Sequence, residues 1–229
     1  YDVDGISASS LLYIYLQERG AKVQTYIPQR KSEGYGLNDD ALQSIAEGGT
    51  TLVITVDCGI SGIHEVENAP QCLDIIITDH HTVPEQLPPA FAIVNAKQAD
   101  DAYPFKELSG VGIAFKLCQA LEQKQPGRLP EWTELTELAA LGTVADIVPL
   151  VGENRELVRR GLAAMSSTKL VGLRALIEAS GLAKENIAAD NIGFGLAPRL
   201  NAVGRLEHAQ RAVELLVTKD AYKATEIAA

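Results

Sequence analysis

Two short runs constrain this chain more than any other feature: TLVITVD, closing on Asp57, and LDIIITD, closing on Asp79. Each is apolar and β-branched along nearly its whole length, so neither alternates an inward with an outward face. A strand that is apolar on both faces is buried on both faces, which is the condition of a parallel sheet covered by helices. The segment between the runs is long enough for one helical crossover, and a further short strand is predicted over Phe91–Val94. The fold class expected is therefore α/β: a parallel βαβ sheet flanked by helices, with the loops that matter at the carboxyl ends of the strands.

Other elements follow from periodicity and capping. A helix is predicted from Ser7, as N-cap, to Arg19, with Leu11, Leu12, Tyr15 and Leu16 on one face and Gly20 as its stop. Val23, Thr25 and Ile27 alternate as a short strand ended by Pro28, and Asn38 caps a helix whose first turn holds Asp39 and Asp40. Beyond Gly110 the pattern turns helical, with helices expected near 110–123, 132–145, 153–166, 170–180 and 207–218, and a last one from Asp220 onward. The stretch QKQPGRLPEW, with Pro126, Gly127 and Pro130, reads as a loop and hinge. The organisation predicted is an α/β part over 1–125, a helical sub-domain over 126–205, and the start of a helical connector over 206–229. Both ends read as cut, because a sheet that set Asp2 and Asp4 at a strand terminus needs a strand before them.

Composition narrows the function. A formal net charge of −10 speaks against a simple nucleic-acid-binding module, whose surface is ordinarily basic, and fits an enzyme whose acids are offset by cations. Cys58, Cys72 and Cys118 are odd in number and lack CxxC spacing, which disfavours a disulfide framework or a cysteine zinc site. Cys72 and Cys118 are expected to be small buried apolar residues. No apolar run approaches the ~20 residues of a membrane span, and the chain reads as cytoplasmic.

Acids and imidazoles stand where the strands end. Asp57 closes one run, and Asp79, His80 and His81 close the other, while Asp2 and Asp4 open the chain. Neighbouring carboxyl ends of a parallel sheet converge on one crevice. Singly, such aspartates are turn residues or helix caps, and adjacent histidines can be a solvated pair. Together they form a cluster that repels itself unless cations fill it, and a pair of divalent ions resolves the repulsion and brings hydrolytic chemistry. Asp146, in ALGTVADIVPL, lies between Val144, Ala145, Ile147 and Val148; a carboxylate there is either a further ligand or a helix-end cap. Oxygen and imidazole donors suit Mn²⁺ or Mg²⁺, and the histidine tilts the choice toward Mn²⁺.

In this order and spacing, YDVDG, VDCG, TDHH and GTVADIVPL resemble motifs one to four of the DHH phosphoesterases. The stretches EGYGLN, SGVGIAFKL and PRLNAVGR resemble the RecJ group of single-strand-specific exonucleases within that superfamily. The resemblance implies that Asp2 holds one metal and Asp57 bridges two. It implies that Asp4, His80 and Asp146 complete the ligands of the second metal, that His81 faces the scissile phosphate, and that Asp79 orients the histidines. The family pattern begins a few residues before Tyr1 with a His and an Asp, so the first metal site is incomplete within these residues and activity of this stretch alone is expected to be impaired.

Substrate contacts are expected at three places. Ser109 and Gly110 open an apolar helix whose free N–H groups would suit a phosphate. Arg199, Asn201 and Arg205 lie in what reads as a Gly- and Pro-marked loop, where two arginines can fork onto phosphates. Arg30 and Tyr35 are weaker candidates, the tyrosine as a base-stacking platform. The resemblance implies 5′–3′ exonuclease action on single-stranded DNA in repair and recombination. It also implies C-terminal DHH-associated and OB-type domains as intramolecular partners, with other DNA-repair proteins as further ones. The rival reading is a small-substrate phosphoesterase acting on oligonucleotides, cyclic dinucleotides or pyrophosphate. The presence of Asp2, Asp4, Asp57, His80 and Asp146 argues against a catalytically dead scaffold that keeps the fold for partner binding.

Overall fold

The structure is a computed structural model and describes residues 1–29, 33–126, 132–184, 187–203 and 209–229. Three parallel strands, β1 (Leu52–Val56), β2 (Asp74–Thr78) and β3 (Ala92–Val94), lie side by side in that order. Their register pairs Val56 with Thr78 and Thr78 with Val94, so the three strands end level with one another. Helix α1 (Val3–Glu18) and helix α4 (Gly110–Lys124) cover one face. On the other, Leu42 of α2 (Asp39–Glu47) and Val66 of α3 (Ile63–Glu67) pack with Ile75 and Ile77 of β2. This double covering is what the two apolar runs require.

Helices make up the remainder: α5 (Trp132–Ala145), α6 (Gly152–Met165), α7 (Val171–Ala179), α8 (Ala189–Asn191), α9 (Ala197–Val203), α10 (Ala209–Val217) and α11 (Ala221–Ala228). A π-helical turn over Ile192–Leu196 joins α8 to α9. The main core gathers Ile6, Leu11 and Tyr15 of α1 with Val111 and Phe115 of α4, Leu138 and Leu141 of α5, Leu176 of α7 and Leu215 of α10. Its members come from along the chain, from Val3 to Ala228. Helix α1 is thus a central post, packed by α4, α5 and α10, and the ligand-bearing ends of α1 and α5 are fixed by the same buried contacts.

Several expectations are corrected. Helix α1 starts at Val3, not Ser7, because the Asp2 carboxylate accepts from the Gly5 N–H at 3.0 Å and caps it first. Ser7 is buried inside the helix, and its hydroxyl has no hydrogen-bond partner. The Val23–Ile27 alternation forms no strand. Thr25 instead accepts from the Gln210 side chain on α10, and Ile27 packs against the main core. PRLNAVGR is helical through Val203 rather than a loop; the π-helical turn just before it shifts the hydrogen-bond pattern, which lets Pro198 enter a helix that its missing N–H would otherwise interrupt. Cys118 is buried as expected, whereas Cys72 is exposed in the turn before β2. Among the described residues no helix is long and apolar enough to cross a membrane.

Candidate metal centre

The level ends of β1 and β2 deliver Asp57 and the Asp79–His80–His81 triplet to one place. Asp57 leaves β1 with a left-handed backbone, φ 57°, a conformation that aspartate tolerates better than most side chains. Asp4 arrives from the first turn of α1 and Asp146 from the turn that ends α5. His80 is the hub. Its Nε2 lies 3.1 Å from Asp57 Oδ1, 3.6 Å from Asp146 Oδ2 and 4.0 Å from Asp4 Oδ2. Among the described residues two triads emerge, Asp4–His80–Asp146 and Asp57–His80–His81, each with its donor atoms within 4.8 Å of one another. His80 belongs to both.

The donor atoms fit a cation. His80 Nε2 and Asp57 Oδ1 are buried yet make no hydrogen bond, despite their short separation. Orphaned polar atoms at that depth are costly unless an ion satisfies them. The remaining atoms are held from behind. Asp4 accepts from the N–H groups of Gly110 at 2.6 Å and Val111 at 2.9 Å. Asp79 accepts from the N–H of Ile60 at 2.9 Å through one oxygen. Its other oxygen takes the N–H groups of His80 and His81 and lies 2.7 Å from His81 Nδ1. Asn95, buried just past β3, donates to the His81 carbonyl at 3.0 Å. The Tyr35 hydroxyl donates to the Asp57 carbonyl at 2.6 Å, and its ring meets His81 edge-on.

Crowding of acids shifts their protonation. Burial, then the charges of Asp57 and Asp146, raises Asp4 well above the usual carboxylate range. Burial and the charge of Asp2 push Asp57 up to about 8, and burial raises Asp146. The hydrogen bond to Asp79 lifts His81 to about 8 against the opposing effect of burial. Burial opposes the ionisation of Asp79, but the His81 ring and the N–H groups of Ile60 and His81 outweigh it and hold that carboxyl low. The acids nearest His80 are therefore all harder to ionise than an ordinary carboxylate, while Asp79 is easier.

The consequence for stability has a definite sign. A raised folded-state pKa, on an acid or a histidine, contributes stability at low pH that is lost as pH rises through the folded value. For Asp57 and His81 that loss is complete only above about 8. The metal-free protein is expected to melt lower at pH 8 than at pH 5.5, and Mn²⁺ to raise the melting temperature more at pH 8, since its ligands must be deprotonated. At a hundredfold excess over Kd the rise is expected to be roughly 5–10 °C. Thermal melts at both pH values with and without Mn²⁺ check this; an equal Mn²⁺ shift at both would contradict it.

Among the expected substrate contacts, Ser109 and Gly110 are corrected. Ser109 is buried; its hydroxyl pairs with Thr143 Oγ1 at 2.9 Å and caps α4 by accepting from the Gly112 N–H. The Gly110 N–H is committed to Asp4, as is that of Val111, so these donors of the helix start are not free for a phosphate. Arg199 is exposed and Asn201 half-buried on α9, which packs on α1, α10 and α11. Arg30 and Arg205 lie outside the described residues. Asp2 is exposed at the head of α1; a Cβ added to Gly5 would sit 3.5 Å from Asp57 Oδ2 and 3.6 Å from Asp2 Oδ1, so these two carboxylates flank the same glycine.

Two contributors, Gly142 and Asn95, escaped sequence reasoning, as did the steric role of Gly110. Gly110 admits Asp57 and Asp4, since a Cβ there would lie 2.6 Å from Asp57 Cβ. Gly142 does the same from α5, where a Cβ would lie 2.7 Å from Asp4 Oδ1. Asn95 was missed because a lone asparagine after a strand reads as a turn residue.

The chain resembles known proteins along its whole length. It is 49% identical over 230 residues to the single-stranded-DNA-specific exonuclease RecJ of Bacillus subtilis, covering all of this chain and 28% of that protein. It is 39% identical to the RecJ of Thermus thermophilus, covering 98% of this chain and 32% of that protein. A crystal structure of exonuclease RecJ bound to manganese superposes on all of it with a TM-score of 0.88 at 39% identity, over 57% of that chain. The Mn²⁺ complex of Thermus thermophilus RecJ does so at 0.84 and 36% identity, over 32% of that chain. The chain thus spans well under half the length of these curated relatives. The model of the DHH family N-terminal domain matches residues 1–143, the stretch that carries Asp2, Asp4, Asp57 and the Asp79–His81 triplet, and the chain belongs to the DHH family.

Proposed function

We propose that this chain is the metal-binding core of an exonuclease that hydrolyses single-stranded DNA from its 5′ end, serving DNA repair and recombination in the cytoplasm. The observation that carries the reading is the meeting of Asp4, Asp57, His80 and Asp146, drawn from four separate segments, around buried donor atoms that lack partners. Identity of 37–49% to RecJ proteins over essentially the full chain supports the choice of substrate.

Asp4, His80 and Asp146 would hold one Mn²⁺ or Mg²⁺, Asp57 would be shared, and Asp2 would serve the other ion. Such ions supply a hydroxide at neutral pH and neutralise the phosphate in an in-line displacement. The protein's own residues do the rest. Asp79 grips His81 Nδ1 at 2.7 Å, and that hydrogen bond favours the protonated form of the half-exposed imidazole. That proton can be given to the leaving oxygen or held against the phosphate charge. Tyr35, braced on the Asp57 carbonyl, offers its half-exposed ring as a base platform.

The helical portion over 126–205 is read as carrying Asp146 to the sheet, and 206–229 as leading toward DHH-associated and OB-type domains that grip the strand. Comparing turnover of a long 5′-phosphorylated single strand with that of a dinucleotide, in Mn²⁺, tests the assignment. Faster turnover of the dinucleotide would reject it in favour of a small-substrate phosphoesterase. Arg199→Ala is expected to weaken DNA binding and lower the salt slope by about one, and an unchanged slope in a binding titration would remove Arg199 from the interface.

A further inference from the structure

Directly beside the metal ligand Asp146 stands a residue whose conformation and exposure are both uneconomical. Ile147 adopts φ 61° and leaves its side chain 88% exposed. Its N–H returns to the Val144 carbonyl at 3.3 Å in the left-handed turn that ends α5. That turn is ordinarily made by glycine or asparagine, and a β-branched residue there is strained. The strain is not repaid by packing, since the side chain meets mostly solvent. A polar or glycyl residue would make the same turn at lower cost. Strain at an exposed apolar side chain next to a ligand points to use of that side chain.

We infer that Ile147 is a specificity-determining residue that packs against the nucleobase next to the scissile phosphate. The inference rests on the phosphodiesterase reading above. Consecutive Cα atoms are about 3.8 Å apart, so Ile147 adjoins Asp146, and a phosphate drawn to the cation that Asp4, His80 and Asp146 would hold brings its own nucleotide close to Ile147. Each base offers an apolar face regardless of its identity, so the contact orders the strand without reading sequence. Leu150 and Val151, a few residues on in the same loop, are exposed as well. Tyr35 bounds the centre at His81, so two unrelated segments place non-polar surface around the ligand cluster.

The test uses the full-length protein carrying this chain, with Ile147→Gly and Ile147→Asn, both of which suit the left-handed turn. Substrates are a 5′-phosphorylated oligo(dT) and an oligomer of the same length built from abasic tetrahydrofuran residues. Both variants are expected to raise KM on oligo(dT) about tenfold, to alter kcat little, to match the wild type on the abasic strand, and to keep Mn²⁺ affinity by calorimetry. An unchanged KM on oligo(dT), or an equal loss on both strands, overturns the inference while leaving the nuclease reading intact. A fall in Mn²⁺ affinity would show that Ile147 acts only through Asp146. A clearly lower melting temperature in both variants would show that the side chain packs against another part of the protein. Wild-type protein inactive on both strands in Mn²⁺ would defeat the nuclease reading, and this inference with it.

Discussion

Asp57→Ala is expected to abolish hydrolysis, with turnover falling by at least about three orders of magnitude, while the metal-free protein becomes more stable. Both effects come from one geometry. Asp57 Oδ1 lies 3.1 Å from His80 Nε2 and 3.9 Å from His81 Nδ1, and it has no hydrogen-bond partner. Removing it takes away the donor placed between both histidines and both proposed ions. It also removes a buried acid whose ionisation burial and Asp2 oppose, which favours the folded state at neutral pH. Exonuclease assays and metal-free melts on the full-length protein check the two halves separately. Retention of even a tenth of wild-type turnover would contradict the shared role, and a lower metal-free melting temperature would contradict the electrostatic account.

Gly110→Ala is expected to be nearly as damaging although glycine offers no chemistry. Its Cβ would lie 2.6 Å from Asp57 Cβ, 2.9 Å from Asp4 Oδ2 and 3.0 Å from Asp57 Cα. The Asp57 contacts involve backbone and the first side-chain atom, so no rotamer change relieves them. Either α4 backs away, breaking the N–H grip of Gly110 and Val111 on Asp4, or Asp57 moves off His80. Displacements on the order of 1 Å cost about a hundredfold in turnover, and Mn²⁺ affinity should fall in parallel. A variant with wild-type Mn²⁺ affinity by calorimetry would show that the cradle yields elsewhere.

Much of the centre was legible because strands advertise themselves. The runs ending at Asp57 and Asp79 are apolar on both faces, parallel strands follow, and a parallel sheet dictates where its loops meet. Asp146 was left open between ligand and cap, because burial cannot be read from flanking residues alone; the structure sets its carboxylate 3.6 Å from His80. The start of α1 was misread because Asp2 was assigned to a strand end, which hid its capping bond to Gly5. The PRLNAVGR stretch was misread because Pro198 and Gly204 mark it, and the π-helical turn before it is a tertiary accommodation with no periodic signature. Ser109 and Gly110 were placed in the right neighbourhood with the wrong recipient for their donors. Sequence shows that N–H groups are available at a helix start, and only the folded chain shows which carboxylate reaches them first.

Helices α1 and α5 bear consequences beyond support. Asp4 and Asp146 sit at the tips of two rods pressed together along their lengths, and Gly142 narrows the gap where the rods approach the ligands. The spacing offered to a cation is therefore gauged by the bulk of side chains far from it, such as Leu11 and Leu138. Trimming one of those would loosen the tips as surely as altering a ligand, and affinity for a small ion should suffer before affinity for a larger one.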